Sequence, residues 1–444
     1  MRRISYILSI LAVLIWCCDG CSNPERRGGR GRQVNQEQTE TAESEDESSE
    51  SDEITEPTTD SSTEESSPEG AEPTITTFNV KLYIENSGSM DGYIDGSPDF
   101  KNALHSYMSD IQLSGIAENI SLHFINDKIV NKGCDITNYF KSLSVTTLKQ
   151  SGGDRNSTDI SQVVKNVLDN SQNDDVSMIV SDFIFSPGKQ DAAKYLQEQE
   201  IVIKGIFAQY MAKNPNCAVM FFQLTSLFKG TYYNRTNAKT QLKDVERPFY
   251  ILIVGDKNAL KQIRDKIPET NIKGSGVKNY FIMENDFLTP DYAVKNGSGN
   301  FKRSRNNPKH GISEAAKDRD GNMNFTVDVN FSKSLLDDDY ISTVENYIIS
   351  DKDFALTISK AVSNQYGYTH SLKFSSPYVK KNTLTIKIAK NIPQWISDFN
   401  DDNGLDINST LSKTYGLKTI VGGIFEAFSY KQKYYTELSI DVNK

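Results

Sequence analysis

The chain has 444 residues, of which 37% are hydrophobic, and its formal net charge at pH 7 is −10. This length allows two or three domains with ordinary apolar cores. The negative charge is concentrated, because residues 33–80 contain fifteen Asp or Glu and no Lys or Arg. Residues 81–444 are nearly neutral, which argues against a nucleic-acid-binding surface.

The amino-terminal segment has the pattern of an export signal. Two arginines precede the apolar run 4-ISYILSILAVLIW-16, which is shorter than the ~20 residues that cross a bilayer. The following 17-CCDGCSNP-24 resembles a bacterial lipoprotein signal, in which the first mature residue is a lipidated cysteine. Cys21 is the favoured lipidation site because the small residue Gly20 precedes it, and Cys18 is the alternative. This resemblance implies that residues 1–21 are a lipoprotein signal peptide; a plain secretory peptide stays open.

Residues 22–74 are predicted to form a disordered tether. They are acidic, rich in Ser, Thr and Glu, and contain almost no large apolar side chains, so they cannot bury enough surface to offset the entropy of ordering. The alternative is an acidic recognition tail. The chain is therefore expected in the bacterial cell envelope, lipid-anchored in the outer membrane, on a face that the sequence does not determine.

From residue 78 onward, the pattern is that of a folded α/β domain. Apolar runs predict strands at 78–85, 119–127, 176–183, 217–224 and 248–255, and apolar spacing predicts helices at 99–111, 160–170, 191–213 and 257–267. Strands that alternate with helices indicate a mainly parallel sheet with helices on both faces. This domain is assigned to residues 75–285.

The alternation stops near residue 285, where a second domain is predicted over 286–444. Strands are expected at 323–331, 354–361, 371–376 and 383–390, with a helix at 419–428. Their alternating pattern favours a β-rich, largely antiparallel unit. Cys134 and Cys217 are expected to be buried thiols, although their pairing in an oxidising compartment stays open.

Oxygen-bearing side chains follow two predicted strands of the α/β domain. The first strand ends in 85-ENSGS-89, strand 176–183 ends in 181-SD-182, and a polar loop between them contains a threonine. Because ligands bind at the carboxyl ends of parallel strands, we expect the following side chains to converge: Glu85, Ser87, Ser89, Thr158 and Asp182. All are hard oxygen donors suited to Mg²⁺, Mn²⁺ or Ca²⁺. The alternative is a serine-rich turn followed by a capping aspartate.

These five residues resemble the metal-ion-dependent adhesion site of von Willebrand factor type A (VWA) domains. In that family the motif is Asp-x-Ser-x-Ser after the first strand, with a Thr in a later loop and an Asp after the fourth strand. Ser87, Ser89, Thr158 and Asp182 match this motif. Glu85 replaces the usual Asp, and its extra methylene could bring the carboxylate into direct coordination or abolish ion binding.

The resemblance covers about residues 76–285 and implies a VWA-like, Rossmann-like fold. It also implies a Mg²⁺ or Mn²⁺ ion, with Ca²⁺ as a further candidate, and a protein ligand that offers a carboxylate to the ion. The segment 91-DGYIDG-96 is interpreted as two turns, and the alternative is a recognition rim with Tyr93 as an exposed anchor beside the site.

Three functions are open on the sequence alone. The leading one is a lipid-anchored protein that binds a protein ligand through a divalent cation. The second is a metal-free structural or assembly component of the cell envelope, which follows if Glu85 abolishes metal binding. The third is a metal-dependent phosphoryl hydrolase. An enzyme is not expected, because no base of clear identity accompanies the motif.

Overall fold

The computed structural model describes residues 77–156, 159–188, 190–362 and 366–444. The predicted signal peptide, both candidate lipidation sites (Cys21 and Cys18) and the predicted tether lie outside these residues, and so does Thr158. Among the helices that are described, none has both the length and the apolar character needed to cross a membrane.

The helices are α1 (Asp91–Ile94), α2 (Asp99–Ser114), α3 (Ile136–Ser142), α4 (Val145–Gln150), α5 (Ile160–Asp169), α6 (Ala192–Lys213), α7 (Lys257–Lys266), α8 (Asp338–Ser342), α9 (Trp395–Asp398) and α10 (Leu417–Ser429). The strands are β1 (Phe78–Glu85), β2 (Ala117–Ile125), β3 (Ile129–Asn131), β4 (Asp175–Ser181), β5 (Cys217–Tyr233), β6 (Lys239–Asp256), β7 (Val277–Glu284), β8 (Tyr292–Val294), β9 (Lys302–Arg303), β10 (Gly311–Ser313), β11 (Met323–Val329), β12 (Tyr347–Ile349), β13 (Ala355–Lys360), β14 (His370–Ser376), β15 (Asn382–Ala389), β16 (Asn400–Asp401), β17 (Thr414–Tyr415) and β18 (Tyr434–Val442).

The central sheet has seven strands in the order β3-β2-β1-β4-β6-β5-β7. Strand β1 runs parallel to both β2 and β4, whereas the other four pairings are antiparallel. The expected mixed α/β architecture is confirmed, but the parallel arrangement is limited to the strands around β1. The second half is antiparallel because β5 and β6 form one long hairpin, and a short turn can join only antiparallel strands.

Local sequence explains why the elements around β1 and β4 begin and end where they do. All seven residues of β4 are buried, as is typical of a strand that reads as a continuous apolar run. Asp159 caps the start of helix α5, and its carboxylate accepts hydrogen bonds from the backbone N–H groups of Ser161 and Gln162. Asp191 and Asp256 cap α6 and α7 in the same way.

Besides the short parallel pair β16-β17, the carboxy-terminal part forms two larger sheets. One has the order β13-β14-β11-β8 and the other β12-β15-β18-β10-β9. All pairings within them are antiparallel except that of β10 with β18, which confirms a largely antiparallel, β-rich arrangement. The boundary placed at residue 285 stays a prediction.

A buried polar junction links the central sheet to these elements. Glu284, at the end of β7, is fully buried and accepts hydrogen bonds from the Ser334 hydroxyl (2.8 Å) and the Leu335 backbone N–H (3.2 Å). Burial raises the pKa of its carboxyl group, and these hydrogen bonds oppose that rise. The nearby Lys390 is also buried and donates to the Phe428 carbonyl oxygen at 2.9 Å. Burial lowers its pKa to about 8.

The two cysteines of the described chain differ in exposure. Cys217 is buried at the start of β5, as expected, and Cys134 is exposed. The prediction of two buried thiols is therefore wrong for Cys134, which lies in the polar connection between β3 and α3.

Replacement of Gly92 in α1 should destabilise the fold. A Cβ atom there would lie 2.1 Å from the Phe228 ring, so Gly92→Ala should lower the free energy of unfolding by about 1–3 kcal/mol. The matched control is Gly205→Ala in α6, where a Cβ atom meets nothing within 4 Å. That variant should be more stable by up to ~1 kcal/mol. Urea unfolding measures both, and equal effects would contradict the close packing at Gly92.

His370 should make stability depend on pH. Its ring is 1% exposed; burial and the charge of Lys360 lower its pKa, and Asp338 opposes this. The folded state therefore binds a proton less readily than the unfolded state, whose histidine pKa is about 6.5. The free energy of unfolding should fall as pH drops below ~6.5, and His370→Gln should flatten this fall. His123, whose pKa burial also lowers, should contribute in the same direction. An unchanged pH profile in His370→Gln would contradict this expectation.

Candidate functional site

The candidate site lies where the chain switches direction across the central sheet. Strand β1 pairs with β2 on one side and with β4 on the other, so that Ile84 lies opposite Val180. The chain runs from β1 to β2 and later returns to the other side of β1, and ligands bind at such a switch point in α/β sheets. The loops that follow β1 and β4 leave the sheet side by side.

Glu85, the last residue of β1, is held by the neighbouring strand. Its side chain is 1% exposed, and its carboxylate accepts a hydrogen bond from the Ser181 hydroxyl at the end of β4. The same hydroxyl oxygen accepts a hydrogen bond from the Phe183 backbone N–H at 2.8 Å. Ser181 therefore ties the Glu85 carboxylate to the loop after β4.

Ser87, Ser89 and Asp182 form a second cluster beside it. The hydroxyl oxygens of Ser87 and Ser89 are 2.8 Å apart. Asp182 is 3% exposed and accepts a hydrogen bond from the Ile184 backbone N–H at 3.3 Å. Burial raises the pKa of Asp182, while a hydrogen bond from Ser89 and the charge of Arg247 act in the opposite direction. The structure thus brings together three of the residues that the sequence singled out.

The backbone after Asp182 is strained. Phe183 has a positive φ of 49°, in a region that non-glycine residues rarely adopt. Its ring is fully buried and packs edge-on against Phe221, with the ring centroids 5.5 Å apart. Strain of this kind persists only where the surrounding packing enforces it, and it is common at functional sites.

The loop that leads to Thr158 is fastened to the serine turn. The Gly88 backbone N–H donates to the Arg155 carbonyl oxygen at 3.0 Å. In return, the Arg155 guanidinium donates to the Asn86 side-chain oxygen (2.8 Å) and to the Ser87 carbonyl oxygen (3.0 Å), and it forms an ion pair with Asp91. The position of Thr158 itself lies outside the described residues.

The hairpin formed by the ends of β5 and β6 is a wall of the site that the sequence did not predict. The polar segment after residue 224 continues β5 and β6 as a hairpin, and its Tyr233 ring lies 3.4 Å from the point where a Cβ atom on Gly88 would be. The Arg235 carbonyl oxygen accepts from the Gly188 N–H, and the Arg235 N–H donates to the Gly404 carbonyl oxygen, both at 3.0 Å. The hairpin tip thus joins the loop after β4 to the segment after β16.

Arg247, in β6, places a buried positive charge near Asp182. The residue is 1% exposed, and its Nη1 atom donates to the carbonyl oxygens of Leu411 (2.7 Å) and Lys413 (3.1 Å). Its Nε and Nη2 atoms have no hydrogen-bond partner among the described residues. Its guanidinium carbon lies 4.9 Å from the centre of the Tyr232 ring. No sequence signal distinguished this arginine from a surface residue of a polar loop.

Tyr93 is not an exposed anchor. It is 1% exposed, and its hydroxyl donates to the Pro248 carbonyl oxygen at 2.5 Å. Burial raises its pKa well above the usual value. The alternative of a recognition role for Tyr93 is therefore contradicted, because α1 turns this ring into the core, where it packs edge-on against Phe228.

The donor set of the site fits a hard divalent cation. Two hydroxyl groups and a buried carboxylate lie together in Ser87, Ser89 and Asp182, and a cation there would offset the burial that raises the Asp182 pKa. Over the described ranges no group of three or more His, Cys, Asp or Glu side chains could hold a metal ion. A site here would therefore depend on its serine hydroxyls.

Comparison with known proteins does not identify the chain. No protein-family model matches it, and a search of the curated proteins found no match.

Loss of the Ser181 hydroxyl should be costly. Ser181→Ala would remove a hydroxyl donor from the buried Glu85 carboxylate, and a hydrogen bond to a charged group contributes about 1.5–3 kcal/mol. The control is Ser177→Ala on the same strand, whose fully buried hydroxyl lies 2.7 Å from that of Ser171, a neutral group. Chemical denaturation should show the larger loss for Ser181→Ala. Equal losses in the free energy of unfolding would mean that the hydrogen bond to Glu85 stabilises the fold no more than the neutral one does.

Proposed function

We propose that the protein is an exported, lipid-anchored binding protein of the bacterial cell envelope that binds a protein ligand through a divalent cation. The observation that carries this proposal is the cluster of Ser87, Ser89 and Asp182 at the carboxyl ends of neighbouring parallel strands. The sequence pattern of residues 1–21 supports export and lipid anchoring.

The ion would be held by the hydroxyl groups of Ser87 and Ser89 and by the Asp182 carboxylate, with Glu85 and Thr158 as further candidates. Mg²⁺ and Mn²⁺ suit these oxygen donors best, and Ca²⁺ is a further candidate. When bound, the ion would supply an electrophilic coordination position for a carboxylate of the ligand. Since few formal charges surround that position, an added carboxylate is not strongly repelled.

A VWA-like fold of residues 75–285 is part of the proposal. In its support, the Glu85-x-Ser87-x-Ser89 turn follows a central parallel strand, and Asp182 directly follows the adjacent one. The antiparallel half of the sheet, formed by β5, β6 and β7, departs from an all-parallel arrangement. The proposal therefore rests on the first half of the domain and on its motif.

Ligand binding is favoured over phosphoryl hydrolysis. Both carboxylates of the site already accept hydrogen bonds, Glu85 from Ser181 and Asp182 from Ser89. A general base must have a free acceptor directed at the proton it removes. These hydrogen bonds take up part of the acceptor capacity of each carboxylate, and the sequence motif includes no other base, so we favour ligand binding and do not propose an enzyme.

A metal-free structural or assembly role is the second candidate, and Arg247 is the observation that favours it. This buried guanidinium acts on Asp182 in the direction in which a bound cation would, by lowering the carboxyl pKa. The Ser181 hydroxyl partners Glu85 in the same region. These internal partners would stabilise the carboxylates without an ion.

Titration with Mg²⁺ and Mn²⁺ tests the two candidates. Calorimetry and thermal shift on the full-length protein should show binding of one of these ions. In the Ser87→Ala/Ser89→Ala variant the affinity should fall at least ~10-fold, since two direct oxygen donors are removed.

The control is Ser332→Ala/Ser342→Ala, which alters two exposed serines and should bind like the parent. If the parent binds neither ion at millimolar concentration, the metal-dependent function is wrong and the structural role is favoured. If the parent and the serine variant bind equally well, the ion lies elsewhere.

A further inference from the structure

A groove lies between helices α6 and α10. The two helices pack tightly at Gly423, where a Cβ atom would lie 2.8 Å from the Ile203 side chain, so a larger residue does not fit without a shift. Farther along, they leave a cavity of about 440 Å³, lined on one side by α6 and on the other by the end of α10 and the residues after it. This volume is within the range of protein binding pockets.

Most residues that line the groove are apolar. On α6 the lining residues recur at helical spacing and several of them are small: Ile201, Lys204, Gly205, Ala208, Met211 and Ala212. Large apolar side chains stand exposed beside them, with Ile201 at 68% and Tyr430 at 77% exposure. An amphipathic helix normally turns such residues towards the core, and an exposed apolar patch with a concave floor marks an interaction surface.

The small floor residues suit another helix. A Cβ atom on Gly205 would meet nothing within 4 Å, and Ala208 and Ala212 are exposed. Packed helix axes lie 8–10 Å apart, and small residues allow the closer spacings. A third helix could therefore lie along α6, with its large side chains directed between α6 and α10.

The charged residues at the groove indicate which charge a partner should carry. Among the described residues that line the groove, Lys204 and Lys431 are charged and none is acidic. Lys204 pairs with Glu426 at 2.9 Å, whereas Lys431 makes no ion pair within the described part of the chain. A partner with carboxylates beside its apolar face would complement Lys431, whereas Lys204 is already paired with Glu426.

We propose that the groove between α6 and α10 binds an amphipathic helix of a protein partner, with acidic residues flanking the apolar face of that helix. The binding mode is a helix in a groove, in which apolar side chains at positions i, i+3, i+4 and i+7 enter the cavity. This site is separate from the loops after β1 and β4, so the proposal does not depend on metal binding.

Fluorescence polarisation with two labelled peptides tests this proposal on the full-length protein. Both peptides have about eighteen residues, enough for about five helical turns, and leucines on one face. One carries Glu beside that face and the other Lys. The Glu peptide should bind at least tenfold more tightly. Ala208→Glu, which places a carboxylate on the floor, and Lys431→Glu should each weaken its binding by about tenfold.

The matched control is Gln209→Glu, which adds the same charge at an exposed neighbour that does not line the groove, and it should bind like the parent. Equal affinity for both peptides, no binding of the Glu peptide, or no effect of Ala208→Glu would each overturn the proposal. Binding of dodecanoate, but not of the Glu peptide, in an Ala208-dependent manner would identify an acyl-chain site instead. Dimerisation of the parent that Ala208→Glu abolishes would identify a second copy as the occupant.

Discussion

Two carboxylates are buried where a pair of parallel strands ends, and the surrounding structure must compensate for that burial. In a medium of low dielectric constant an ionised group without partners is strongly destabilising. Glu85 meets this demand with the Ser181 hydroxyl, and Asp182 with Ser89 and the Ile184 backbone N–H. Each carboxylate is thereby stabilised by a group from the other strand or its loop, which fixes the two loops against each other.

The same requirement extends into parts of the chain far from this edge in sequence. The positive charge that lowers the Asp182 pKa comes from Arg247, which is itself held by carbonyl oxygens of Leu411 and Lys413. Since a buried guanidinium needs such acceptors, the segment before β17 must pack against the hairpin of β5 and β6. The carboxy-terminal part is thus connected to the candidate site by hydrogen bonds as well as by apolar contacts.

Features that depend on a local side-chain pattern could be predicted from the sequence. The burial of β4 and the convergence of Ser87, Ser89 and Asp182 followed from strand ends and from the parallel pairing of β1 with β4. The extension of β5 and β6 as a hairpin was not predicted. In β5, Phe228 and Tyr232 are buried while Leu227 and Lys229 are exposed. This alternation is typical of a strand, but the high content of polar residues in the segment is equally typical of a loop. The partners of Arg247 lie more than 160 residues away, and no local pattern encodes them.

Glu85 has one methylene more than an aspartate at the same position would have, and this affects where its carboxylate lies. One additional methylene extends the side chain by about 1.5 Å, and the residue follows Ile84, which lies opposite Val180 on β4. The longer side chain reaches across to the Ser181 hydroxyl on that strand. The serine turn follows Glu85 directly in the chain, so a negative charge on this carboxylate would still attract a cation, although its Oε2 atom is directed towards Ser181. We therefore expect any ion at this edge to rely on Ser87, Ser89 and Asp182 for direct contacts and on Glu85 for charge.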